Sequence, residues 1–238
     1  MTIQQRFLEI KNNVDKICDS CGRSSQDVKI IAVTKTRTAE EINEAIKAGA
    51  TIIGENRVQE LLEKYDDIDK SAEIHLIGQL QTNKVKYIGD KVSLIHSLDR
   101  ISLAEELNKY CIKNEINEIK VLVEVNIGCE TTKSGVLPDN LSEYLDNLMN
   151  FRYIKPIGLM TVAPLTATEY EQNVFFEKMR TLLEDGKTRF GEDFCQLSMG
   201  MSRDYEAAIK QGATMIRIGT ALFGERNYNK LGDINYVK

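Results

Sequence analysis

The chain has 238 residues, 42% hydrophobic and 28% charged, with 31 basic against 36 acidic side chains and a formal net charge of −5. This composition is enough for a substantial core and excludes wholesale disorder, while the acidic balance and lack of any basic block argue against nucleic-acid binding. No apolar run approaches the ~18 residues of a membrane span, and Met1-Thr2-Ile3-Gln4-Gln5-Arg6 has no secretory h-region, so a cytoplasmic protein with no membrane partner is expected.

In chain order, amphipathic helices alternate with short β-branched runs. Ile3, Phe7, Ile10, Val14 and Ile17 recur at spacings of three and four, which predicts a helix over residues 3–17. Cys18 and Cys21 follow as a C-x-x-C pair. With no second pair and neither histidine nearby, it is read as structural, and the five cysteines are expected as reduced thiols. Lys29-Ile30-Ile31-Ala32-Val33 reads as a buried strand of a parallel sheet, and a helix over 39–48 ends at Gly49. Further strands are predicted at 51–53, 74–77, 92–95, 120–125, 157–160, 195–199 and 214–218. Helices are predicted through Leu61 and Leu62, from about Asn83, and over 99–113, 141–148, 168–183 and 204–210, with a terminal helix after the eighth strand. Pro138, Pro156 and Pro164 are placed at the edges of these units.

Eight strand–helix units predict an α/β fold, a (β/α)8 TIM barrel with one extra N-terminal helix, as a single domain over residues 1–238. A doubly wound open sheet would usually carry a glycine-rich first turn, yet no two glycines here are separated by one residue. Residues 45–53 echo residues 208–216, each a helix end, a glycine and a strand start. Walker, H-E-x-x-H and G-x-S-x-G motifs are absent, and His75, His96 and the scattered acids show no metal-ligand spacing, so neither a metal site nor a hydrolase triad is expected.

In such a barrel the chemistry lies at the C-terminal ends of the strands. Lys35 stands directly behind the first strand. Partial desolvation there would free its amine to attack a carbonyl, although a lysine snorkelling to solvent fits the same position. Ser202 precedes a predicted helix, and Gly219-Thr220 follow strand eight, the corner where barrels often hold phosphate. Either piece alone reads equally well as an ordinary cap or a packing glycine; together they favour phosphate. Arg217 points from a strand otherwise made of Met215, Ile216 and Ile218, and if it faces inward it needs a partner. A carbonyl-capturing lysine, a phosphate cradle and an arginine between them describe a pyridoxal phosphate (PLP) site.

Several segments carry a resemblance to a known family. They are Ala32-Val33-Thr34-Lys35, Gly54-Glu55-Asn56-Arg57-Val58-Gln59-Glu60, His75 through Lys84, Lys133-Ser134-Gly135, Gly158-Leu159-Met160-Thr161, Leu197 through Ser202 and Arg217 through Gly224. In that order they resemble the pyridoxal phosphate homeostasis protein family, across nearly the whole chain. The resemblance implies a fold-type-III barrel similar to the N-terminal domain of alanine racemase, with PLP held as a Schiff base on Lys35. It implies Arg217 facing the pyridine nitrogen, where it would weaken the ring as an electron sink. It also implies Ser202, Gly219 and Thr220 on the phosphate, Ser198 as a further candidate, and Asn56 near the ring. Lys133 resembles a family lysine that could relay the cofactor; a solvated loop lysine fits equally.

The family implies a non-catalytic carrier that keeps intracellular vitamin B6 balanced and delivers PLP to apo forms of PLP-dependent enzymes. About 20 residues follow strand eight, too few for the second domain that racemases of this fold type add, so a monomer with no catalytic residue is expected. The competing expectations are a PLP-dependent amino-acid racemase and a class-I aldolase-type Schiff-base enzyme.

Overall fold

The eight apolar runs form one closed parallel barrel whose strands neighbour each other in chain order. The computed structural model describes residues 1–225. Residues 226–238 of the predicted domain lie outside the described residues. The strands are β1 (Lys29–Val33), β2 (Ile52–Glu55), β3 (Glu73–Leu76), β4 (Leu94–Leu98), β5 (Ile119–Glu124), β6 (Ile154–Met160), β7 (Gln196–Met201) and β8 (Met215–Ile218). Helix α1 (Ile3–Ser20) precedes them. Between and after the strands run α2 (Ala39–Lys47), α3 (Val58–Lys64), α4 (Val85–Ile88), α5 (Ile101–Asn114), α6 (Leu141–Leu148), α7 (Glu169–Phe190), α8 (Tyr205–Lys210) and α9 (Thr220–Phe223).

The apolar runs are continuous because both strand faces are buried. Alternate residues point inward, where Ile31, Ile52, Leu94, Leu122, Met160 and Met215 form an apolar plug. Their neighbours Ala32, Ile53, Ile95, Leu159, Leu197 and Ile216 join the larger core under the helices. Burying each such aliphatic side chain is worth about 1.5–3 kcal/mol. Helix α1 places Phe7, Ile10, Val14 and Cys18 into that core and packs against α2, α8 and α9. Cys21 is exposed, and the C-x-x-C pair consists of two free thiols, one of them a core residue.

The internal echo is a repeated helix-to-strand turn. Ala50 N–H donates to the Ala45 carbonyl at 3.0 Å and Ala213 N–H to that of Ala208 at 2.9 Å. Gly49 (φ +110) and Gly212 (φ +99) hold the left-handed step each turn needs.

Two details differ from the sequence reading. Pro156 lies inside β6, not at an edge, opposite Val121, where the β5–β6 register shifts. The irregularity accommodates a residue that cannot donate to the ladder. Strand β4 runs through His96 and Ser97 to Leu98, so His96 sits within the barrel wall. Polar residues extend the strand because each is partnered: Ser97 donates to the Gly78 carbonyl at 2.7 Å, and His96 joins a buried network described below.

Candidate functional site: a cleft at the C-terminal mouth

The C-terminal ends of the strands enclose a cleft of about 530 Å3, within the size range of small-molecule sites. Lys35, Asn56, Ser202, Arg217, Gly219 and Thr220 all line it, beside the apolar walls Val33, Ile77 and Met201. The sequence reading missed Arg37, Arg203, Asp204, the segment Val162–Leu165 and Gln172 on the rim. For all but Gln172, which lies within α7, a position just beyond a strand end was the available signal, obscured by loops whose path the sequence does not reveal.

Lys35 sits in the turn behind β1, half-buried. A buried lysine holds that turn. Lys64 Nζ, on α3, donates to the Thr34 carbonyl at 3.0 Å and the Arg37 carbonyl at 3.3 Å. It also pairs with Glu55 Oε1 at 2.8 Å and Glu60 Oε1 at 3.0 Å. The Thr34 hydroxyl donates to Glu55, and Thr36 N–H donates to Glu60. Burial pushes the Glu55 carboxyl up, opposed by the Lys64 ammonium beside it. Thr36 is β-branched yet has φ +64, a strained conformation directly after Lys35.

Arg217 does face inward. Its side chain is buried, with Nη1 donating to Ser198 Oγ and Nη2 to the Thr161 carbonyl, both at 2.7 Å. Burial lowers its pKa to about 10, while Asp204 and Glu124 oppose the shift, so it remains a cation at neutral pH. Ser198 is fully buried beneath Arg217, between it and His96, and does not line the cleft.

The corner formed by Ser202, Gly219 and Thr220 owes its shape to an irregularity between β7 and β8. Ser198 pairs with Met215 but Met201 with Arg217, so β7 carries one extra residue. Gly200 absorbs the kink at φ +90, where an added Cβ would lie 2.6 Å from Ala208 Cβ. Ser202 is not the cap of α8. That position belongs to Asp204, whose Oδ1 accepts from Met201 N–H at 2.6 Å. Ser202 instead faces the start of α9, its hydroxyl accepting from Ala221 N–H at 3.4 Å. The first N–H groups of that turn have no intrahelical acceptor. Gly219 has negative φ, and an added Cβ would make only an ordinary 3.5 Å contact with Val33. Neither backbone nor packing requires glycine there; open cleft lies on its other side.

Asn56, directly after β2, also lines the cleft. Its backbone packs so tightly on Gly78 that an added Cβ on the glycine would lie 2.2 Å from the Asn56 carbonyl oxygen. Its side-chain Oδ1 is buried and has no hydrogen-bond partner among the described residues. Lys133 is exposed in the loop after β5 and does not line the cleft. No cluster of metal-ligating side chains occurs among the described residues, and no helix among them is long and apolar enough to cross a membrane.

A closed parallel barrel with a lysine behind β1 and an arginine on β8 defines a class of fold, and residues 8–227 match the family described as alanine racemase, N-terminal domain. The chain is 44% identical to the pyridoxal phosphate homeostasis protein of Aquifex aeolicus, over 96% of this chain and all of that protein. A protein of unknown function from Bifidobacterium adolescentis superposes with a TM-score of 0.87 at 32% identity, covering 92% of this chain and 94% of the other. PipY of Synechococcus elongatus, solved with PLP bound, superposes with a TM-score of 0.80 at 32% identity, over 94% of this chain and all of that one. The chain belongs to the pyridoxal phosphate homeostasis protein family.

Proposed function

We propose that the cleft binds PLP, held covalently on Lys35, and that the chain is a non-catalytic carrier acting in intracellular PLP homeostasis. The observation that carries this reading is one cleft holding Lys35, Arg217 and the Ser202–Gly219–Thr220 corner. The donor set suits the molecule. Asn56 Oδ1, an acceptor with no partner among the described residues, is free to accept from a ligand, and Gly219 leaves room that the fold itself does not use.

When bound, PLP supplies a reactive aldehyde and an electron-withdrawing ring. Lys35 would take the aldehyde carbon on its amine nitrogen with loss of water. Arg217, a donor with no proton to give up at neutral pH, would face the ring nitrogen and keep it unprotonated. Ser202 and Thr220 would donate hydroxyls to the phosphate beside the start of α9, with Gly219 permitting close approach. Asn56 would lie near the ring, and Ser198 would act through Arg217.

A carrier rather than a racemase is supported by the names of the relatives and by the cleft lining. Among the described residues that lining contains no histidine, tyrosine or cysteine to serve as a second acid–base opposite Lys35. Asp204 is nearly buried and already accepts from Met201 N–H. Apo PLP-dependent enzymes would be the recipients, and five free thiols suit the reducing cytoplasm. We propose a monomer.

The test is the visible spectrum of the purified protein beside Lys35→Ala. A yellow band present in the wild type and lost in the variant is expected. A colourless wild type that is trapped by borohydride only after a sugar phosphate is added would favour the aldolase reading. Exchange of amino-acid α-protons into solvent, abolished by Lys35→Ala, would favour the racemase.

A further inference from the structure

The two histidines of this chain lie together inside the barrel, outside the chemistry described above. His75 Nδ1 is 3.0 Å from His96 Nε2, and His96 Nδ1 is 3.1 Å from Ser198 Oγ. Beyond Ser198 comes Arg217 Nη1 at 2.7 Å, and beyond His75 Nε2 comes Glu73 Oε2 at 3.3 Å. Glu73 and His75 line a second cavity of about 380 Å3 whose other residues, Lys29, Lys120 and Lys155 among them, sit at strand starts. Arg217 lines the cleft at the strand ends. The polar chain therefore threads the apolar barrel from one mouth to the other.

We infer that Glu73, His75, His96 and Ser198 form a one-directional hydrogen-bond relay that positions Arg217 from the opposite mouth of the barrel. The direction is fixed at the carboxylate end: a neutral His75 that donates to Glu73 must accept at Nδ1 from His96 Nε2–H, which leaves His96 Nδ1 to accept from the Ser198 hydroxyl. A guanidinium only donates, so Ser198 Oγ accepts from Arg217 while giving its own hydrogen to His96 Nδ1. His96 then carries its hydrogen on Nε2 and donates to His75 Nδ1. His75 in turn carries its hydrogen on Nε2 and donates to Glu73, whose carboxylate only accepts. The acceptor-only end at Glu73 imposes this direction, and the donor-only end at Arg217 fits it. Burial disfavours the charged form of both rings, which keeps each imidazole neutral as the relay requires. His75, His96 and Ser198 are positioning residues: they touch no cofactor and act through the guanidinium. Reversing either ring would put two hydrogens, or two lone pairs, against each other in a dry interior.

This positioning role rests on the PLP reading, whereas the relay itself can be measured without cofactor. Histidine labelled with 15N reports which ring nitrogen bears hydrogen, and with two histidines His75→Gln and His96→Gln assign both signals. In the ligand-free protein at neutral pH, both rings should be neutral with hydrogen on Nε2. An Nδ1–H ring or an imidazolium at either position would overturn the relay. In the PLP-loaded protein, Ser198→Ala should shift the visible band and speed PLP loss about tenfold, the scale of one hydrogen bond to a charged group. Ser198→Thr, which keeps the hydroxyl, should restore both. An unchanged band and release rate in a folded Ser198→Ala protein would overturn the positioning role. A wild type with no band would instead sink the cofactor reading, and the ring tautomers would still decide the relay.

Discussion

Lys64 Nζ lies 2.8 Å from Glu55 Oε1 directly beneath the turn that carries Lys35, and the same ammonium donates to backbone carbonyls on both sides of that lysine. The ammonium pairs with Glu55 Oε1, while Glu55 Oε2 has no hydrogen-bond partner among the described residues, and the Lys64 bonds to both carbonyls fix the backbone from Thr34 to Arg37. The candidate nucleophile thus depends on a pair that never touches the cleft.

Lys64→Met is therefore expected to strand the Glu55 carboxylate in the interior and cost about 3–5 kcal/mol of stability in urea unfolding. Adding Glu55→Leu should recover much of that loss, because an apolar pair carries no uncompensated charge. Neither variant should hold PLP as the wild type does, since both lose the bonds that hold the Lys35 turn.

The phosphate corner can be separated from the aldehyde end by choice of ligand. Ser202→Ala should weaken PLP binding about tenfold while leaving the affinity for pyridoxal, which lacks the phosphate, unchanged. Equal losses for both ligands in a titration would remove Ser202 from the phosphate.

Gly219→Ala distinguishes a glycine kept for the ligand from one kept for the fold. Since φ is negative and the new methyl would meet Val33 at 3.5 Å, thermal stability should stay within about 0.5 kcal/mol of the wild type. PLP affinity should fall nonetheless. A large drop in the unfolding midpoint would contradict this division.

The buried histidines set the pH dependence of stability. Burial lowers both folded-state pKa values below the ordinary 6.5, Arg217 facing His96 adding to the effect and Lys29 near His75 likewise, while Glu73 opposes it at His75. Below 6.5 the unfolded chain takes up protons that the folded one refuses, so stability should fall as pH drops from 7 toward 5. Glu73, held at about 2 chiefly by its bond to His75, adds stability that is present above its ordinary 4.5 and is lost toward pH 2. Urea midpoints measured from pH 8 to 5 should decline, and less steeply in His75→Gln. A flat profile would mean that the rings titrate in the folded state as they do in the unfolded chain, contradicting their burial as neutral groups.

Much of the fold was legible because burial on both faces writes each strand as a short apolar run. Strand β1 matched to the residue, and Lys35 behind it and Arg217 on β8 were legible from that frame. What stayed hidden was set by tertiary pairing. The placement of Met201 and Ser202 depends on the extra residue in β7 that follows Ser198, and the place of His96 on how far a polar-ended strand continues. The sequence reading started the helix at Asp204, one residue before its first turn at Tyr205; Asp204 is the cap, and Ser202 is a partner of α9. The rim segment Val162–Leu165 has no periodic signature at all.

Under the PLP reading, a single lysine nitrogen, that of Lys35, carries the vitamin. Borohydride reduction of the PLP-loaded protein, followed by proteolysis and mass mapping, reads this directly. The added mass is expected on the peptide containing Lys35 alone, and absent after Lys35→Ala. The same mass found on Lys133 or Lys64 in place of Lys35, or on no lysine of a protein that still binds PLP, would contradict the account.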